Sequence, residues 1–177
     1  MIEPGDYFAW GETEPYYTAG GHSENPTWKL GMGSGYSQSN YFDYYGDSYH
    51  KYYSGGKEVL DATDDVAHVK WGGNWRMPTR VEQDELRNYC TYEKVTINGV
   101  KGYRFTSTVV GYTDRWIFLP FAGYRSGTGV NDSYCYYWSS SLYSTSSGYC
   151  IYISSNNNCG WDWNSRNYGY LVRPVCP

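Results

Sequence analysis

The stretch WGGNWRMPTRVEQDEL, residues 71–86, decides the fold class. Thr79 and Glu82 form a T-x-x-E capping box directly after Pro78, which predicts a helix that starts there and runs to about Cys90. Val81, Leu86 and Tyr89 or Cys90 are expected on its core face. Upstream, VLDATDDVAHVKWGG (59–73) predicts a short helix, with Asp61 or Thr63 as cap, Val66 and Val69 inward, and Gly72-Gly73 as its stop. Downstream the period changes from helix to strand. VTINGVKGYRF (95–105) predicts a hairpin turning at Asn98-Gly99, and Ile117 to Leu119 a buried strand ended by Pro120. YYWSSSL (136–142), YCIYIS (149–154) and YLVRPV (170–175) read as further short strands. In the second, Ile151 and Ile153 point one way and Cys150, Tyr152 and Ser154 the other. Two helices followed by short antiparallel strands make an α+β fold. Residues 1–57 are rich in Gly, Tyr, Ser and Asn and read as long packed loops with short strands.

The chain has 177 residues and a net charge of −4, with Lys and Arg scattered, so neither nucleic acid nor direct membrane insertion is expected. No apolar run is long enough to span a bilayer. The opening MIEPGDYFAWGETEPYY contains no signal peptide and reads as the interior of a longer protein, any targeting segment lying elsewhere. Aromatic residues make up 20%, with 23 Tyr and 8 Trp against 5 Phe, and aromatics with a polar handle suit half-wet surfaces as well as cores. Five cysteines (Cys90, Cys135, Cys150, Cys159, Cys176) are odd in number and contain no C-x-x-C, which gives no zinc pattern. His22, His50 and His68 stand in loop or short-helix contexts as surface or capping residues.

From Ser133 to Tyr170 the alphabet narrows. Glu, Lys, Gln, Met, Ala, Val, Pro, Phe and His are all missing. Trp138, Leu142, Ile151, Ile153 and Trp161 punctuate the segment as strand anchors, which low-complexity disordered tracts lack. Nearly all the other residues belong to the set reached by replacing the adenines of an Asn codon, A-A-pyrimidine, a set that cannot yield Lys, Glu, Gln, Met or Trp. Chemically the set matches evolved binding surfaces, where Tyr supplies contact area and Ser, Gly and Asn supply adaptable hydrogen bonds.

WGGNWRMPTRVEQDEL, FLPFAGYR (118–125) with YYWSSSL, and LVRPV (171–175) together resemble the Fibrobacter succinogenes major paralogous domain, from about Tyr7 to Cys176. That domain is similar to the formylglycine-generating-enzyme branch of the C-type lectin-like fold, whose R-x-P-T-x-x-E helix start matches Arg76, Pro78, Thr79 and Glu82. The same fold carries the variable proteins of diversity-generating retroelements, in which adenine-directed mutagenesis rewrites a C-terminal ligand-binding segment. The resemblance implies one domain over 1–177: a scaffold over 1–130, a variable segment over 131–170 and a closing core strand over 171–177. It implies a cell-surface adhesin or pilus-tip module of Bacteroidetes that binds a protein or glycan ligand on a host, another cell or a phage. It also implies a Cys90–Cys176 disulfide joining helix end to last strand.

The expected ligand face comprises Tyr134, Tyr136, Tyr143, Tyr152, Ser154, Asn156, Asn158, Asp162, Trp163, Asn164, Asn167, Tyr168 and Tyr170. Trp138, Trp161, Ile151 and Ile153 are expected to be scaffold. Three other readings stand beside this one. WDWN (161–164) is similar to the Trp-Asn-Asp motif of calcium-dependent lectins, although the partner Glu-Pro-Asn motif is missing, so calcium is the one cofactor considered. Oxidative enzyme chemistry would need a reactive cysteine pair, for which Cys150 and Cys159 are nearest in sequence. A structural repeat without a ligand is the third. No catalytic residues are assigned.

Overall fold

A computed structural model describes residues 5–15, 52, 56–126, 129–131, 133–144 and 146–176. Most of the Gly- and Tyr-rich first third, with His22 and His50, lies outside the described residues. Among the elements that lie wholly in the described residues, two helices come first: α1, Val66–Trp71, and α2, Arg80–Asn88. Eight strands follow. β1 (Cys90–Ile97), β2 (Val100–Ser107) and β3 (Trp116–Pro120) form one antiparallel sheet, and β6 (Tyr134–Ser144), β7 (Ser147–Ser154) and β8 (Cys159–Ser165) a second. β4 (Tyr124–Ser126) and β5 (Gly129–Asn131) pair between them. The architecture is α+β.

The capping box forms as expected: Thr79 accepts from the Glu82 backbone, and the Glu82 carboxylate accepts from Thr79 N at 2.8 Å. Arg76 adds a bidentate pair to the same carboxylate, at 2.7 and 2.5 Å. These contacts, Arg76 foremost, hold the Glu82 carboxyl down at about 2. The helix nevertheless turns a different face inward. Val81 is exposed, while Gln83 is buried and donates from Nε2 to Tyr137 O at 3.1 Å. With Thr79 fixed as cap, positions 83, 86 and 90 lie at i, i+3, i+7 on the core side. Leu86 and Cys90 pack there, and Tyr89 is exposed.

α1 is capped by Asp65 rather than Asp61 or Thr63, because residues 61–64 close a turn first. The buried Asp65 carboxylate accepts from Ala67 N, His68 N and Met77 N. Val66 and Ala67 enter the core, but Val69 is exposed on this six-residue helix. The β1–β2 hairpin turns at Asn98 and Gly99, with φ of 51° and 82°, as a two-residue type I′ loop requires.

The β6–β7–β8 sheet is covered on both faces. Cys135, Tyr137, Ile151 and Ile153 pack against Tyr103, Phe105 and Leu119 of the first sheet. Trp138 and Cys150, on the other face, pack against Phe8, Trp10 and Tyr170. The polar handles of the buried aromatics are used: Trp10 Nε1 donates to Ser139 O, Trp138 Nε1 to Phe8 O, and Tyr137 OH to Pro120 O. β8 was hidden in the restricted alphabet, and pairing with β7 creates it. YLVRPV, expected as a strand, instead makes single bridges to three partners: Tyr170 to Phe8, Leu171 to Tyr137 and Val175 to Arg76. Pro174 has no N–H to continue a ladder.

The Cys90–Cys176 disulfide is corrected. Cys90 is a half-buried free thiol. Val175 is fixed on Arg76, before the start of α2, whereas Cys90 follows its end.

Candidate functional site

Register places the candidate site. Tyr134 pairs with Ser154, Tyr136 with Tyr152, Tyr152 with Gly160, and Cys150 with Asp162. Directly paired residues share a face, so these side chains lie on the side that buries Trp138 and Cys150. Among the described residues, that face runs from Phe8, Trp10 and Tyr170 out to an open end. There it forms an open cleft of about 790 Å³ lined by Ser133, Tyr134, Tyr136, Tyr152, Ser154, Ser155, Asn156, Asn158, Trp161 and Asp162. Among the described residues, all ten that line it belong to the restricted segment.

An aromatic column joins the cleft to the core. Trp138 packs on Tyr170 with ring centroids 4.3 Å apart, and Tyr170 stacks on Tyr136 at 4.5 Å and 12°. Tyr124 meets Tyr136 edge-on at 5.1 Å. Tyr136 is therefore pre-set, with rotamer freedom already lost, which favours binding. Burial pushes its hydroxyl well above the ordinary tyrosine range, and the Asp162 charge adds to this. Gly160 completes the floor: a Cβ there would lie 2.9 Å from the Tyr152 ring, so only glycine lets that ring lie across β8.

The rim is the turn between β7 and β8. Ser154 N donates to Asn158 O at 2.8 Å, and Asn157 takes φ of 61°. The Tyr103 hydroxyl lies 2.9 Å from both Ser154 O and Asn157 Oδ1, tying the turn to the first sheet. Asn156 and Asn158 are left exposed on either side, and Asn158 Nδ2 donates to Tyr152 OH at 3.2 Å.

Seven of the thirteen expected residues line this cleft: Tyr134, Tyr136, Tyr152, Ser154, Asn156, Asn158 and Asp162. Tyr143 and Trp163 lie elsewhere. They stack on each other at 4.7 Å and 8° on the opposite sheet face, beside Tyr149. Asn164 turns inward toward Cys150 Sγ and Asp162. Asn167 is buried, Tyr168 is half-buried against Tyr124 and Tyr170, and Tyr170 is 1% exposed. Asn167 and Tyr170 are thus corrected to core positions: the segment after β8 bridges to Phe8 through its backbone, and the Tyr170 ring is enclosed by Trp138, Tyr136 and Tyr124.

Three lining residues escaped the sequence reading: Ser133, Ser155 and Trp161. Trp161, expected as scaffold, is 41% exposed at the sheet edge, with the Arg80 guanidinium 4.6 Å over its ring. Its alternation with the equally exposed Trp163 was the available signal.

The cysteines that oxidative chemistry would need lie on opposite faces of the sheet, Cys150 beside Trp138 and Cys159 beside Ile153. Burial pushes the Cys135 and Cys159 thiols up to about 12 and raises Cys150 likewise, which suppresses thiolate. Among the described residues, no three His, Cys, Asp or Glu side chains converge as a metal site would require.

Comparison with known proteins finds no matching family model, no matching curated protein and no matching solved structure.

Proposed function

We propose that this chain is a surface-displayed adhesion module of C-type lectin-like architecture, and that the open cleft at the β6–β7–β8 sheet end is its ligand face. One observation carries the reading: every described residue lining the cleft comes from the restricted Ser133–Tyr170 segment, while the residues beneath it are an aromatic core. Chain-end pairing of Phe8 with Tyr170, beside a capped helix, supports the lectin-like architecture. The ligand is a protein or glycan of another cell, a host surface or a phage. Tyr134, Tyr136 and Tyr152 supply contact area at low rotamer cost, and Ser154, Asn156 and Asn158 supply adaptable hydrogen bonds.

The test is a triple replacement of Tyr134, Tyr136 and Tyr152 by Ser, compared with the parent on arrays of glycans and surface proteins. A ligand bound with unchanged affinity by the triple variant sinks the assignment. The restricted alphabet further supports diversification by a retroelement. A reverse-transcriptase gene next to a near-copy of the 131–170 coding segment, differing only at adenines, is the expected genomic signature.

A further inference from the structure

We propose that the cleft captures a cationic side chain, Lys or Arg, presented by a protein partner; this rests on reading the cleft as the ligand face. Asp162 is the only charged side chain among the described lining residues. Its carboxylate is held in place, Oδ1 accepting from Trp163 N at 2.8 Å and Oδ2 from Asn164 Nδ2 at 3.3 Å. Each oxygen retains a further acceptor position, and the side chain stays half-exposed. Beside it run the rings of Tyr134, Tyr136 and Tyr152, with successive centroids 6.0 and 6.2 Å apart.

A fixed carboxylate beside aromatic walls is the chemistry that recognises an ammonium or guanidinium, through a charge-assisted hydrogen bond and cation–π contact. The alternatives fit less well. An anionic ligand would meet Asp162 with no cation among the described lining residues to offset it. A neutral ligand that closed the cleft would desolvate the carboxylate without a counter-charge. The effect of the Asp162 charge on the Tyr136 hydroxyl shows that its field reaches the ring wall. The neutral rim of Ser133, Ser155 and Asn156 then suits the backbone on either side of the captured side chain, in a cleft large enough to admit both.

The test uses the purified chain on an array of peptides centred on Lys or Arg, each paired with its acetyl-lysine or citrulline counterpart, together with acidic peptides, glycans and free spermidine. Binding to Lys or Arg peptides is expected to fall about tenfold or more on neutralising the peptide, and equally in Asp162→Asn. Asp162→Glu should recover part of it, and the thermal midpoint of both variants should match the parent. If glycans, neutral or acidic peptides are bound in a way that Tyr136→Ser weakens but Asp162→Asn does not, the cation assignment fails and the ligand face stands. Tight spermidine binding with no gain from peptide overturns the protein partner. Binding insensitive to Tyr136→Ser and Asp162→Asn alike overturns both readings, and no binding to any Lys or Arg peptide overturns this one.

Discussion

Two glycines on the same face of the C-terminal sheet make a matched experiment. Neither Gly148 nor Gly160 has positive φ, so alanine is unstrained in the backbone at both, and only the added methyl differs. At Gly148 the Cβ would lie 2.6 Å from Trp10 Cδ1 and 2.9 Å from Cγ and Nε1, nearly 1 Å inside ordinary contact. Trp10 cannot retreat. It is fully buried, its Nε1 donates to Ser139 O at 2.8 Å, Arg166 stands 4.7 Å over its ring, and Tyr52 meets it edge-on at 5.3 Å. Overpacking of about 1–3 kcal/mol, plus about 1 kcal/mol if the indole hydrogen bond breaks, gives an expected loss of about 2–4 kcal/mol. At Gly160 the obstacle is the outer edge of Tyr152, with Cε1 at 2.9 Å and Oη at 3.1 Å. That ring is half-buried and can swing into the open cleft, so Gly160→Ala should cost under about 1 kcal/mol of stability while disturbing the ligand face. Urea unfolding followed by circular dichroism and tryptophan fluorescence, at equal m, measures both. The reasoning is refuted if Gly148→Ala stays within about 0.5 kcal/mol of the parent, or if the two variants lose equal stability.

Further outcomes follow from the same contacts. The Glu82 carboxyl is lowered from 4.5 to about 2 on folding, so its contribution is present above pH 4.5 and is lost as pH falls toward 2. With the Arg76–Glu82 pair about one-third exposed, solvent screening leaves about 1–2 kcal/mol, and Glu82→Gln should remove that acid-side slope in pH-dependent unfolding. Cys135, Cys150 and Cys159 should resist maleimide at pH 8 in the native protein and react fully in denaturant; native labelling of Cys135 at the rate of a free peptide would contradict their burial. Tyr103→Phe should lower stability by about 1 kcal/mol and speed amide exchange in the Ser154–Asn158 turn; an unchanged exchange rate would show that the hydroxyl does not hold the rim.

Local chemistry alone determined several elements. The α2 start needs only Thr79, Glu82 and the preceding Pro78, and the hairpin needs only Asn98-Gly99, because both are satisfied by contacts within a few residues. The restricted alphabet also marked the segment that supplies the cleft. Burial was decided elsewhere. Val81 looked like a core residue but sits off the face that Thr79 sets, and Cys150, which alternation puts on the side of the expected ligand residues Tyr152 and Ser154, is fully buried. Asn156, Asn157 and Asn158 are all exposed, yet only Asn157 is tied to Tyr103. Tyr136 lines the cleft and Tyr170, the same residue type stacked directly beneath it, is core. Tyrosine is apolar enough to bury and polar enough to wet, so its type does not choose between the two. The choice falls to what packs on each ring: Trp138, Tyr136, Tyr124 and Tyr168 enclose Tyr170, whereas Tyr136 itself stands in the cleft wall.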